Sequence, residues 1–230
     1  MESTLNVSGL RKPLIIKNKI IYTVCTGKYK NILLQATHYK NWETVAFTDD
    51  LNMESKGWTL KPILYDNVEN LNSRKLSRHP KMNPHLYLKD YDVSLYIDSK
   101  LKLLLNPDSI LNYLESYKWI TLKHPDRTRF FQEIFTCLYQ KKIALDDAMK
   151  IMDRYRENHY VEQNNLSENS LILRYHNDSK NINVGEMWWN EYISLKNERD
   201  QLIFPLVLFK TNCNILLLDN KELKISYVQR

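Results

Sequence analysis

Glycine is scarce in this chain of 230 residues: it occurs four times, and no Gly/Ser/Pro-rich stretch interrupts the sequence. That excludes flexible linkers between units, so residues 1–230 are expected to form a single domain with two halves, about 19–105 and about 106–230. Cysteine is rarer still, with three residues. Cys25, Cys137 and Cys213 are odd in number, far apart and without Cys-x-x-Cys spacing, which argues against a disulfide framework and against a zinc site. A reducing compartment, the cytoplasm, is the expected location. No apolar run reaches the roughly 18 to 20 residues that cross a bilayer, and the first residues lack a basic segment followed by an apolar one, so a soluble protein is expected. Dense basic tracts are missing too. The net charge of +6 is spread along the chain with acids mixed throughout, a balance that suits anionic partners without choosing among them.

What is present is a succession of short apolar runs, each ending in a polar turn. Residues 19–25 are β-branched and almost continuously apolar, the pattern of a strand covered on both faces, and Thr26, Gly27, Lys28 and Tyr29 break the run. Residues 32–39 read as a short helix, 44–47 as a strand ending at Thr48, Asp49 and Asp50, and 58–64 as a third strand. Strand, helix, strand is the opening of a doubly wound sheet. A basic stretch, 72–81, reads as a helix that stops before Pro80. It leads to a strand ending at Asp98 and an apolar run at 101–105. Pro107 suits the first turn of a helix reaching 117, and 119–123 reads as a strand. Helices are expected at 130–141, 144–160, 181–192 and 198–209, with strands at 170–174, 215–218 and 223–228. The 43% of hydrophobic residues can fill one large core. The expected class is α/β, a mixed, mostly parallel central sheet flanked by helices.

Asp98 carries most of the functional argument. A carboxylate at the carboxyl end of a buried strand, in such a sheet, stands where open α/β sheets bind ligands. A group-transfer enzyme acting on a diphosphate must offset concentrated negative charge, through carboxylates that hold a divalent cation or through Lys and Arg contacts. Asp98 suits the first and Lys100 the second, although Asp98 could equally cap the next turn. The turn at Thr26, Gly27 and Tyr29 could meet a nucleotide with its backbone N–H groups and its ring, or be an ordinary turn, since no Walker or dinucleotide glycine spacing is present. Asp49 and Asp50 could accept hydrogen bonds from a ribose or a base, or form an Asx-turn. Arg74, Arg78 and Lys81 share one face of a helix and could grip phosphates or be solvated. Trp188 and Trp189 beside Glu191 suit a sugar, with C–H faces on rings and hydroxyls on carboxylates; Trp188 and Tyr192, four apart, could simply bury a helix face.

Taken in order, the segments 21–29, 47–50 and 96–101, the basic residues Arg74, Arg78 and Lys81, then His124, Pro125 and Arg127, Glu133, Arg174, Trp188, Trp189 and Glu191, and Arg199, Asp200 and Gln201 resemble a glycosyltransferase-like family. That family includes plant turgor-regulation and mucilage proteins and has bacterial and viral relatives. The resemblance spans roughly residues 19–208. It implies a GT-A type fold, a nucleotide-sugar donor bound by the first half, and transfer to a hydroxyl of a glycan, lipid-linked or protein-linked acceptor by the second. Peripheral membrane contact would go with a lipid-linked acceptor, and nucleic acid would not be a partner.

By the same resemblance Thr26, Gly27 and Tyr29 would line the nucleotide, and Asp49 or Asp50 would touch ribose or base. Arg74, Arg78, Lys81, Lys100, His124, Arg127, Trp189 and Gln201 would complete the nucleotide-sugar site. Asp98 would be the surviving acid of an Asp-x-Asp metal motif whose second position is here Lys100. That departure leaves a divalent cation, Mn2+ or Mg2+, unassured and points to weak metal dependence. Asp200, with Glu191 as second choice, would take the acceptor proton in an inverting transfer; a retaining transfer would put Asp200 or Gln201 behind the donor face. Two other readings stay open, a basic nucleic-acid-binding protein and a non-catalytic relative that still binds nucleotide or glycan.

Overall fold

A computed structural model describes residues 16–65, 71–196, 199–223 and 225–227. The first apolar run forms β1 (Lys19–Cys25), in which Ile20, Tyr22 and Val24 face one core and Ile21 and Cys25 the other. A strand apolar on both faces belongs inside a sheet. β2 (Glu43–Thr48) pairs parallel with it and carries β3 (Thr59–Pro62) on its outer side, while β4 (Val93–Ile97) pairs parallel along the opposite edge of β1. β5 (Leu101–Leu103) leaves the main sheet. β6 (Trp119–Lys123), β7 (Ser167–Arg174) and β8 (Leu216–Leu218) complete it in the order β3-β2-β1-β4-β7-β6-β8, with β7 antiparallel to both neighbours. β9 (Ile225–Tyr227) pairs antiparallel with β5 as a separate ribbon. The expected mixed, mostly parallel sheet is what forms.

The strand order fixes where a ligand can enter. From β1 the chain steps to β2 and β3 on one side, then crosses to β4 on the other. The connections after β1 and β4 therefore diverge, and a crevice opens at the carboxyl ends of these two strands.

One face of the sheet lies under helices. α1 (Ser73–Leu76) and α2 (Arg78–Met82) lead into β4, α3 (Phe130–Tyr139) and α4 (Leu145–Glu157) follow β6, and α5 (Ser179–Ile193) and α6 (Phe204–Thr211) follow β7. Met82, Phe130, Ile151, Trp188 and Leu206 join Tyr22 and Tyr96 in that core. The second face, with Ile21, Leu95 and Leu173, is closed by Leu33, Trp42, Ile110 and the β5–β9 ribbon. Among the described residues no helix is long and apolar enough to cross a membrane, and the three cysteines are free thiols.

Four local expectations are corrected. The segment 32–39 is not a helix: a 3-10 turn ends at Ile32, and Leu34 and Ala36 donate their N–H groups to the carbonyls of Ser99 and Lys56, so cross-chain bonds hold it extended. The helix at 72–81 does not stop before Pro80. A new helix starts after Ser77, placing the proline in a first turn, where its missing N–H is not needed. Residues 107–115 form 3-10 turns rather than an α-helix. The helix expected at 198–209 is divided into a 3-10 turn at Asp200–Leu202 and α6, with Pro205 opening the latter; Glu198 lies outside the described residues, as does Val228 of the last strand.

Candidate active site

A cleft of about 130 Å³ occupies the crevice between β1 and β4. Thr26 follows β1, Asp98 and Lys100 follow β4, and Tyr29, Arg74 and Arg78 form the walls. Six of the residues expected to contact a nucleotide sugar are thus brought together from three separate stretches of sequence.

The Thr26 turn is held by packing. Thr26 Oγ1 donates to the Ser73 carbonyl at 2.5 Å, which ties the end of β1 to α1. Gly27 has φ +51°, and a Cβ there would lie 2.6 Å from Ser73 Oγ, so both backbone and space call for glycine. Its N–H donates to Asp49 Oδ2 at 3.0 Å. Asp50 accepts the Asn52 N–H, an Asx-turn, and pairs with Lys30 at 3.0 Å. The bond from Lys30 holds the Asp50 carboxyl below its ordinary range. Both acids shape the turn that faces the cleft.

Beneath the cleft runs a chain of charges. Asp98 Oδ1 accepts from the Tyr96 hydroxyl at 2.6 Å, and the Asp98 N–H donates to the Ser170 carbonyl at 2.8 Å, so the side chain is aimed from both ends. Lys81, buried, lies 5.3 Å from the Tyr96 ring centroid and 5.5 Å from that of Trp188. Its Nζ meets Asp200 Oδ2 at 2.6 Å, and Arg78 Nε stands 3.4 Å from Asp200 Oδ1. Trp188 donates its indole N–H to the Asp200 carbonyl at 3.0 Å. Burial alone would raise the Asp200 carboxyl, but Lys81 and Arg78 overcome it and hold the group well below the usual carboxylate range. Arg174, fully buried, donates to the Tyr22 hydroxyl at 3.0 Å and to the Lys81 carbonyl, adding another cation to this layer.

The remaining expected residues lie elsewhere. His124, Arg127 and Gln201 belong to a second network centred on buried Glu133. Arg127 Nε is 2.5 Å and Arg199 Nη2 3.0 Å from its oxygens, His124 Nε2 is 3.5 Å away, and Gln201 accepts from Arg199 and donates to the Ser167 carbonyl at 2.6 Å. Burial would raise the Glu133 carboxyl, yet bonds from Cys137 and Arg127 hold it below its ordinary range. Trp189 packs against His79 at 4.8 Å and Tyr65 at 5.4 Å, in the core rather than in the cleft wall. Glu191 is clamped by Arg154 and by Lys210 at 2.6 Å, joining α4, α5 and α6.

Three residues that sequence reasoning passed over border the site. β7 has a β-bulge opposite Thr121 and Leu122; in that stretch the Ser170 carbonyl accepts the Asp98 N–H, and the Tyr227 hydroxyl bonds to the Glu168 carboxylate and to Ser170 Oγ, the latter at 2.6 Å. Bulges of this kind often re-aim side chains beside active sites. The one signal in sequence was an acid entering a strand after an Asn-rich loop.

Asp98 could hold a Mn2+ or Mg2+ ion only together with waters and a bound diphosphate, as a single carboxylate does. Among the described residues Asp98 is the one carboxylate in the cleft lining, one of its oxygens accepts from Tyr96, and Arg74, Arg78 and Lys100 line the same cleft. Among the described residues no group of three or more His, Cys, Asp or Glu side chains could hold a metal.

A family model described as TOD1/MUCI70, glycosyltransferase-like domain, matches residues 9–226. The chain belongs to this family. Among solved structures, this TOD1/MUCI70 member resembles the apo form of the WbbM bifunctional glycosyltransferase, with TM-score 0.55 and 13% identity over 91% of the chain. It spans about 40% of the length of the WbbM chain. It also resembles apo mouse xyloside xylosyltransferase 1, with TM-score 0.51 and 7% identity, covering 88% of this chain and 86% of that one. At these identities the likeness is one of fold, the GT-A fold of glycosyltransferases. No curated protein matches the sequence.

Proposed function

We propose that this chain transfers a sugar from a nucleotide-sugar donor to a hydroxyl of a glycan or glycoconjugate acceptor. The observation that carries the reading is the convergence of three cationic side chains, Arg74, Arg78 and Lys100, on the switch-point cleft. They line it together with Asp98, and the buried Lys81–Asp200 pair lies directly beneath, with Arg78 against the second Asp200 oxygen. A diphosphate is the kind of anion that Arg and Lys side chains gathered in this way bind.

In this reading the nucleoside lies against the Thr26–Tyr29 turn, whose shape Asp49 and Asp50 maintain. The diphosphate meets Arg74, Arg78 and Lys100. As the bond between the anomeric carbon and the diphosphate oxygen breaks, the electron pair leaves with the nucleotide and the same cations stabilise it. The sugar carbon passes through an oxocarbenium-like state, the acceptor oxygen closes on it, and the acceptor's hydroxyl proton passes to the departing diphosphate, directly or through water. Asp98 offers its second oxygen to a donor hydroxyl. Asp200 is buried beneath the cleft with its two oxygens facing Lys81 and Arg78, and its part is to hold those cations in position. Because these cations share the work of a metal, metal dependence should be weak.

A thermal-shift screen across nucleotide sugars tests this, followed by transfer to glycan acceptors. A donor at a hundred times its dissociation constant should add about 2.7 kcal/mol of stability. Stabilisation with product formation supports a transferase, and stabilisation without turnover on any acceptor would favour a nucleotide-binding module. No stabilisation by any nucleotide sugar would remove the reading.

A further inference from the structure

The last described strand reaches back to the cleft. β9 pairs with β5, which follows Lys100 directly, so Tyr227 stands opposite Leu101. Lys100 Nζ lies 5.8 Å from the Tyr227 ring centroid, within cation–π range. The ring is itself fixed, since its hydroxyl bonds to Ser170 Oγ at 2.6 Å and to Glu168 Oε1. Ser170 in turn receives the Asp98 N–H on its carbonyl. Burial and the Glu168 bond push the Tyr227 phenol far up, so it stays a neutral donor. Among the described residues Lys100 has no carboxylate in ion-pair range, which leaves the aromatic face as its anchor.

We infer that Tyr227 is a positioning residue for the donor site: its ring, clamped by the bulged part of β7, holds the Lys100 ammonium at the cleft for a nucleoside diphosphate. A lysine has a long, flexible stem, and a charge must be confined in advance to bind phosphate with little loss of side-chain entropy. The inference rests on the proposed placement of Lys100 at the diphosphate. It adds that the strand at 225–227, distant in sequence from the nucleotide-binding half, is part of that site.

Calorimetric titration of the full chain with uridine and guanosine diphosphates, and with the matching nucleosides, provides the test. Tyr227→Leu, which keeps an apolar side chain against the sheet, should weaken the better-bound diphosphate about three- to tenfold and leave the nucleoside unchanged. Tyr227→Phe, which keeps the ring and loses the hydroxyl tether, should give a smaller loss. Lys100→Ala should weaken the diphosphate at least as much, and the double variant Lys100→Ala/Tyr227→Leu should be no weaker than Lys100→Ala alone, within about twofold, because the tyrosine acts through the lysine. Losses that multiply in the double variant would overturn the inference, as would a Tyr227→Leu protein with wild-type diphosphate affinity beside a weakened Lys100→Ala. A Lys100→Ala protein that binds diphosphate normally would instead overturn the placement of Lys100. Equal weakening of nucleoside and diphosphate would mark Tyr227 as a general structural support. Should Tyr227→Leu melt early, the Tyr227→Phe titration decides.

Discussion

Lys81 Nζ and Asp200 Oδ2, 119 residues apart in sequence, meet at 2.6 Å in the layer beneath the cleft. The pair joins α2 to the turn before α6, and with Arg78 it links the wall of the cleft to the core. Removing one partner of a buried pair leaves the other charge uncompensated, at a cost of about 3–5 kcal/mol. Asp200→Asn is therefore expected to lower the urea midpoint markedly. Asp200→Leu combined with Lys81→Met should cost less than the two single changes together. A midpoint for Asp200→Asn equal to wild type would show that the pair contributes nothing.

Gly185 lets α5 pass close over α2. A Cβ there would lie 2.2 Å from the Met82 carbonyl oxygen, a backbone atom with little room to move. Gly185→Ala should push the two helices apart at a cost of about 1–3 kcal/mol, and by shifting α2 it should also weaken diphosphate binding through Arg78. Melting temperature and calorimetry measure the two effects, and an alanine variant normal in both would contradict the close packing.

Acid sensitivity should appear before the carboxylates titrate. Burial, with His85 nearby, lowers His79 to about 4, and burial likewise lowers His176 to about 4. His176 donates its Nε2–H to the Leu88 carbonyl at 2.7 Å, leaving Nδ1 buried without a partner for an added proton. Between about pH 6.5 and pH 4 the unfolded chain binds protons that the folded chain refuses, so stability is full above that window and falls through it. Below it, the depressed carboxyls Asp200 and Glu133 take over the decline. Urea midpoints at several pH values should slope through the window; a flat profile would contradict neutral buried imidazoles.

Turnover should survive chelation. If Arg74, Arg78 and Lys100 neutralise the leaving diphosphate, an assay in excess EDTA should retain a substantial part of the rate without metal. Complete loss, restored by Mn2+ or Mg2+, would show that the cation set is not sufficient.

Most of the sheet was legible in the sequence, because strands covered on both faces appear as near-continuous apolar runs bounded by polar turns, as at 19–25 and 94–97. The position of Asp98 at a strand tip followed from the same pattern, whereas the spacing that put Arg74, Arg78 and Lys81 on one helix face did not foresee the break at Ser77, which leaves Arg74 and Arg78 in the cleft lining and Lys81 buried beneath it. Local sequence did not carry the rest. Residues 32–39 have helical spacing, yet their N–H groups find partners at Ser99 and Lys56, positions that only the tertiary fold brings near. Polar chemistry at Asp200, Glu191, His124 and Gln201 looked alike in one dimension, and three dimensions divide these residues among separate networks. Trp189 carried the aromatic signal of a sugar platform but packs behind His79. Tyr227 and Glu168 approach the site through a bulge and a ribbon pairing, which have no periodic signature.

A crystal structure of the chain with a bound nucleoside diphosphate, grown in excess chelator, tests the central claim most directly. The expected result is both phosphates between the ends of β1 and β4, within ion-pair distance of Arg74, Arg78 and Lys100. Phosphates bound at another edge of the sheet, or a cleft that stays empty at saturating nucleotide, would contradict it.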